Sequence, residues 1–169
     1  YPLITVLGSR IPGPPWDNLV WLYDTWWLRQ AIFGKASLLF NPVIFHPFGY
    51  DLTLSETMIA NKALLAPLLL VFSPTAAYNL FLLLTFFLTS LFTYVFVVYL
   101  TRSRASGVLA ALAFTYAPYR MGALAAGWLP LIATQWLPLL FLFLERWIRE
   151  RRARYAALAG LFLALNALS

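Results

Sequence analysis

The sequence predicts an all-α membrane protein: a polytopic helical bundle with an outer-face loop that carries interfacial helices. Three observations predict it. Of the 169 residues 62% are hydrophobic and only 11% charged, where soluble domains carry about a quarter charged. The stretch 76–100, AAYNLFLLLTFFLTSLFTYVFVVYL, has no charge over 25 residues. As a helix it would be about 37 Å long, enough to cross a hydrocarbon core of about 30 Å with some tilt. Finally, the basic excess is confined to short segments next to apolar runs, which is how cytoplasmic loops are marked.

The charge distribution also bears on partners. The net charge is +6, yet residues 1–75 are neutral overall, with Arg10, Arg29, Lys35 and Lys62 against Asp17, Asp24, Asp51 and Glu56. Arg120 adds one, and the segments 102–104 and 145–154 supply the rest, seven Arg against Glu145 and Glu150. Such short basic loops orient spans, so no nucleic-acid partner is read from them. With no Cys, disulfides and thiolate chemistry are excluded.

In chain order, residues 1–9 (YPLITVLGS) are expected to be the outer end of a first span. The chain starts without Met and stops inside an apolar run, so a longer protein is expected on both sides. No basic segment precedes an apolar one as in a cleavable signal peptide. Residues 10–15 (RIPGPP) cannot be helical. Residues 18–33 (NLVWLYDTWWLRQAIF) read as a helix with Asp17 as N-cap and Gly34 as stop. Three Trp with Asp24 and Arg29 suit a helix lying in the membrane interface. Residues 38–52 read as loop, punctuated by Pro42, Pro47 and Gly49. The segment 59–72 holds only ten consecutive apolar residues and contains Pro67, too short to span; a second interfacial helix is expected. Residues 1–75 thus form an outer loop, and 76–169 a membrane region.

Span 76–100 runs inward to Arg102 and Arg104. Residues 105–122 return outward, rich in small residues that allow close helix packing, with Pro118 expected to bend the outer end and Arg120 expected at the outer surface. Residues 128–146 come back in, carrying Pro130 and Pro138, which membrane helices tolerate. Arg146 to Arg154 form the second inner loop, and 155–169 begin a further outward span.

Asp17 leads the candidates for chemistry. It follows a Pro-rich loop and starts an interfacial helix, so it is either a plain N-cap or a general base at the membrane surface. Asp24 lies seven residues on, about 10 Å along the same helix face, too far for both to clamp one metal ion. A water-facing polar residue is its simpler reading. His46 is the one histidine, without the companions a metal site needs. Arg10, Arg29, Lys35, Lys62 and Arg120 are outer cations able to meet a lipid phosphate or simply face headgroups. Trp16, Trp21, Trp26 and Trp27 suit either sugar stacking or interface anchoring.

With these features in order, the chain resembles the start of the GT-C-fold glycosyltransferases, bacterial membrane enzymes that use polyprenyl-phosphate-linked sugars. The resemblance is carried by the early Asp17, PTAAYNLFLLL, LTRSRASGVLAALAFTYAPYR and QWLPLLFLFLERW. It covers most of the 169 residues and about the first third of such an enzyme. It implies a multi-pass protein of the inner membrane with residues 1–75 extracytoplasmic, a lipid-linked sugar donor and lipids as partners. It implies Asp17 as catalytic base with Asp24 supporting, and Arg10, Arg120 and His46 as substrate or phosphate contacts. No cofactor is expected; Asn18 stands where the family often has a second acid, and a divalent metal is left open. The alternative is a non-catalytic GT-C-like protein, such as a lipid-carrier transporter, which would show paired broken helices, or an envelope assembly factor.

Overall fold

The computed structural model describes residues 3–55 and 58–169; Glu56, one of the acidic residues balancing residues 1–75, and Tyr1 and Pro2, part of the expected outer end of a first span, lie outside them. The described chain is mostly helical. Its organising element is α3 (Pro74–Thr101), the fourth helix or strand pair in order after α1 (Asp17–Ile32), a short antiparallel pair β1 (Phe40–Asn41) and β2 (Tyr50–Asp51), and α2 (Ile59–Leu69). The pairing Phe40 with Asp51 and Asn41 with Tyr50 corrects the expectation of plain loop over 38–52.

The start of α3 is set by Ser73, whose Oγ accepts the Ala76 N–H at 3.3 Å, and by Pro74, pre-set for a first turn. With 28 residues it is about 42 Å long. Thr85, Thr89 and Thr93 are buried on it, and each hydroxyl donates to a carbonyl one turn back, at 2.7–2.8 Å. A polar stripe is thereby satisfied inside its own helix.

After α3 come α4 (Arg104–Thr115), α5 (Pro118–Ala126), α6 (Leu129–Ile132), α7 (Leu137–Glu150) and α8 (Ala153–Ala167). α4 runs antiparallel to α3: the Tyr116 ring is 6.0 Å from Phe86, and Gly107 lies against Tyr94 and Val98. A Cβ on Gly107 would sit 2.5 Å from the Val98 side chain, so the glycine sets the closeness of the pair. α7 runs parallel to α3, with Phe92 on Trp136 at 6.1 Å and Phe96 on Phe141 at 6.4 Å. α8 turns back along α7, stacking Phe162 on Trp136 and Tyr155 on Phe143. These directions gather both arginine-rich segments at one end, where Arg102 and Arg146 each lie over the Tyr99 ring, at 5.8 and 5.9 Å. α1 and α2 pack on the first half of α3, around buried Leu28, Leu65, Leu69, Tyr78 and Phe81.

Two expected helices are broken. The segment 105–122 stops at Tyr116 and restarts as α5, because the residue before Pro118 is pushed out of helical geometry; Ala117 has ψ 141°. The segment 128–146 divides into α6 and α7 around 133–136 and then runs on to Glu150. Pro130 and Pro138 stand in the first turns of these helices, where a missing N–H is harmless, and not in a helix interior as expected. Among the described residues, α3 alone is long and apolar enough to cross a membrane; α4, α7 and α8, with 12, 14 and 15 residues, reach only about 18–22 Å.

Candidate functional site

The end of the molecule away from the arginines is built on α1. The chain before it is tied down by two asparagines. Asn79, fully buried on α3, donates through Nδ2 to the carbonyls of Leu7 and Arg10, at 2.8 and 2.6 Å. Asn18, also buried, accepts the Trp16 N–H at 3.1 Å and donates to the Pro12 carbonyl at 2.8 Å. Gly127, at the end of α5 with φ 78°, brings its backbone against Asn18; a Cβ there would meet the Asn18 N and Cβ at 2.8 Å. The Pro-rich loop, the start of α1 and the α5–α6 corner are thereby held together.

This placement corrects the assignment of Asp17 as N-cap. Trp16 occupies the cap position without a side-chain bond, and Asp17 is the first helical residue. Its carboxylate is exposed, makes no hydrogen bond or ion pair among the described residues, and lines a cleft of about 300 Å³ with Trp21, Trp128, Pro130 and Leu131. A carboxylate in a first turn suits the helix dipole, and here no side chain among the described residues engages it.

Asp24 is not the water-facing residue that the simpler reading expected. Its Oδ2 is 3.1 Å from Lys62 Nζ of α2, with both side chains about a quarter exposed. The ion pair alone would hold its pKa down, but burial outweighs it and the pKa lies above the ordinary value of 3.8. Asp24 lines a cavity of about 240 Å³ with Val20, Trp21, Tyr23, Trp27, Asn41 and Tyr50 among its walls. The far wall is the β1–β2 hairpin. It is pinned by Trp27 Nε1 donating to the Ser37 carbonyl at 2.8 Å and by Asn41 Nδ2 donating to the Tyr23 hydroxyl at 3.0 Å. Asn41 Oδ1 also accepts the N–H of Val43 and of Ile44, closing the turn. Tyr23, Trp26 and Trp27 form one aromatic cluster with centroids 5.6–6.4 Å apart.

Trp21 is the wall shared by the two cavities, and its indole Nε1 is buried without a partner. The structure therefore places two carboxylates on one helix, each facing its own cavity on either side of Trp21. One is unengaged and open; the other is ion-paired and partly buried among aromatic rings. Such rings offer apolar faces for stacking with polar edges, and such carboxylates can accept a proton or bind hydroxyls.

The remaining candidates are not brought here. Arg120 is corrected outright: it is buried, not at an outer surface. Its Nη1 donates to the Thr115 carbonyl at 3.1 Å and its Nη2 to the Ile132 carbonyl at 2.8 Å, with Cζ 4.5 Å from the Phe86 ring centroid. It satisfies the Thr115 carbonyl that the end of α4 leaves unpaired and joins the Thr134 N–H on the Ile132 carbonyl at the end of α6, and so ties the two helix breaks together. His46 is exposed in the hairpin loop, and Arg10 is exposed in the loop before α1; neither lines either cavity. Among the described residues no group of three or more His, Asp or Glu could hold a metal. Sequence reasoning missed Lys62 as the partner of Asp24 and missed Asn41 and Tyr50 as walls. One visible signal for Lys62 was its place directly before the apolar run ALLAPLLLVF, where an unpaired ammonium is costly.

In comparisons with known proteins, no family model, no curated relative and no solved structure matches the chain.

Proposed function

We propose that this chain is the acceptor- and donor-binding part of a multi-pass membrane glycosyltransferase of the GT-C type, with α1 and its two cavities on the extracytoplasmic side. The observation that carries the reading is the pair of carboxylates flanking Trp21 at the end of α3 opposite the arginines. Apolar groups exposed on α3, α4 and α8, such as Phe87, Leu109 and Leu163, suit lipid contact and support a membrane bundle.

In this reading the sugar of a polyprenyl-phosphate donor stacks in the aromatic cavity, its hydroxyls on Asp24. The acceptor enters the cleft of Asp17. The acceptor oxygen attacks the anomeric carbon with inversion, and its proton passes to Asp17. The bond from that carbon to the phosphate oxygen breaks, and the electron pair leaves with the phosphate. Arg120 is buried and committed to two carbonyls, so Lys62, about a quarter exposed and ion-paired with Asp24, is the cation assigned to the leaving phosphate, for which it exchanges that carboxylate.

A second reading is a non-catalytic carrier of the lipid-linked sugar. It is favoured by the paired helix breaks that Arg120 ties together, the kind of interruption that transporters place at their sites. Sugar transfer from a lipid-linked donor in reconstituted membranes separates the two. Asp17→Asn is expected to lower kcat by about 10² to 10⁴ with KM little changed, whereas Asp24→Asn and Lys62→Gln raise KM for the donor. Full activity of Asp17→Asn would remove its role as base. Donor binding without transfer by the unaltered protein would favour the carrier.

A further inference from the structure

The β1–β2 hairpin displays an apolar surface that the transferase reading leaves unused. Over residues 38–50 the exposed side chains are Leu38, Leu39, Phe40, Val43, Phe45 and Phe48, two prolines and one polar residue, His46. Phe48 is 87% exposed, more than any other large apolar side chain among the described residues, and Phe45 and Val43 are 70% and 64% exposed. These three form the tip, beyond the paired Asn41 and Tyr50. No Asp, Glu, Lys or Arg falls between Lys35 and Asp51.

The tip is ordered from within. Phe45 stands edge-on to Tyr50, with centroids 5.4 Å apart, and the Phe40 ring covers Gly49 so closely that no Cβ would fit there. Its backbone donors are also spent inside the hairpin. The N–H groups of Leu39 and Phe40 reach Ser37 Oγ, both at 3.2 Å. Those of Val43 and Ile44 reach Asn41 Oδ1, and that of Phe48 reaches the Phe45 carbonyl at 3.0 Å. Pro42 and Pro47 have none to satisfy. A loop facing water needs neither satisfied donors nor an apolar display. A loop entering the lipid boundary needs both. A protein partner is matched less well, because docking faces surround an apolar centre with polar groups that pair.

The hairpin also lies at a suitable depth. It hangs on α1 through Trp27 and Tyr23, and α1 packs through Leu28 into the core that holds Tyr78 and Phe81 of α3. Those two residues lie about 6 and 10 Å from the start of α3. A helix of about 42 Å centred on a hydrocarbon core of about 30 Å leaves about 6 Å outside at each end. α1 therefore meets α3 where α3 would enter the hydrocarbon.

We propose that the tip of the β1–β2 hairpin, Val43, Phe45 and Phe48, is seated in the boundary between lipid headgroups and acyl chains. Because the hairpin is the far wall of the Asp24 cavity, this seat holds that cavity at the bilayer surface. It rests on α3 lying in a membrane, and not on any transfer of sugar.

The test is electron paramagnetic resonance of single nitroxide-labelled cysteines, introduced into a chain that has none of its own, in nanodiscs of phosphatidylcholine and phosphatidylglycerol. Collisions with oxygen, which concentrates in lipid, are compared with collisions with a water-soluble nickel chelate. Labels at Phe48→Cys and Val43→Cys are expected to meet oxygen more than nickel, as is a label at Phe87→Cys on the exposed side of α3. A label at Lys35→Cys, at the foot of the hairpin, should show the reverse order. Adding Phe45→Asp with Phe48→Asp should reverse the order at Val43→Cys and leave Lys35→Cys as it was; these side chains are exposed, so the fold is expected to hold. Nickel in excess at Phe48→Cys would put the tip in water and overturn the seat. Few collisions with either reagent would mean that protein covers the tip, and would overturn it too, as would an unchanged order at Val43→Cys in the Asp variant. Nickel in excess at Phe87→Cys would overturn the membrane placement of α3 together with the seat, which separates that failure from the others.

Discussion

Asp24 on α1 and Asp51 on β2 respond to their surroundings in opposite ways. Burial raises the pKa of Asp24 despite Lys62, so its neutral form is favoured on folding. Its contribution to stability is fully present below the ordinary value of 3.8 and is lost as pH rises through the raised value. Asp51 is held below the ordinary range by the hydroxyl and N–H of Thr53, at 2.7 and 2.9 Å. Its contribution is present above the ordinary range and lost as pH falls through the lowered value. In an acid titration followed by carboxyl carbon NMR, Asp24 is expected to protonate first. The reverse order would mean that Lys62 outweighs burial. Arg120 makes a second prediction at this scale. Arg120→Met leaves the carbonyl of Thr115 unpaired and removes one of the two donors to Ile132, which keeps the Thr134 N–H at 2.8 Å; it should cost about 1–3 kcal/mol, read as a lowered unfolding temperature in detergent. An unchanged temperature would show that water or lipid replaces the guanidinium there.

At the scale of elements, two serine caps, Ser73 and Ser103, and first-turn prolines explain where α3 to α7 begin better than hydropathy does. The boundaries of α1, α2 and α3 fall within a few residues of their sequence expectation, 18–33, 59–72 and 76–100, because Ser73 and Pro74 and the Pro-rich loop before α1 act locally. At Pro118 the sequence marked a bend and the structure makes it a full break at 116–117; the break at 133–136 was not legible. A proline in an apolar run can either kink a helix or restart one, and the choice is made by what pairs with the freed backbone groups; here that is Arg120. α1 and α2, with 16 and 11 residues, are about 24 and 16 Å long, short of the hydrocarbon thickness. Cysteines replacing Leu19 and Phe33, both exposed near opposite ends of α1, should therefore be labelled from the same side of the membrane by an impermeant reagent. Labelling from opposite sides would make α1 a span.

For the whole molecule, the alternation of helix directions is the main result. α3 and α7 run one way, α4 and α8 the other, which gathers Arg102 and Arg146 on one tyrosine and leaves the α1 cavities at the far end. The positive-inside pattern then predicts opposite sides for the two ends. A cysteine at Ser37 should react with an impermeant reagent added from outside, and one at Ser103 should not. Labelling at Ser103 alone would invert the molecule and with it the side on which any sugar is handled.

The sequence by itself determined the helical class, the one long apolar helix and the clustering of basic residues, because hydropathy, length and local charge are properties of contiguous residues. It also marked Asp17 and Asp24, since their i and i+7 spacing on a helix is a local relation. What only the tertiary structure decided was the company these residues keep. Lys62 reaches Asp24 from another helix, Asn41 and Tyr50 close the cavity from a hairpin, Asn18 displaces Asp17 from the clasp at the helix start, and Arg120 turns inward to carbonyls on two elements. Each of these is a contact between distant segments. Burial free energy, and not any local preference of the residue, selects which polar group must find a partner and which is left free to act.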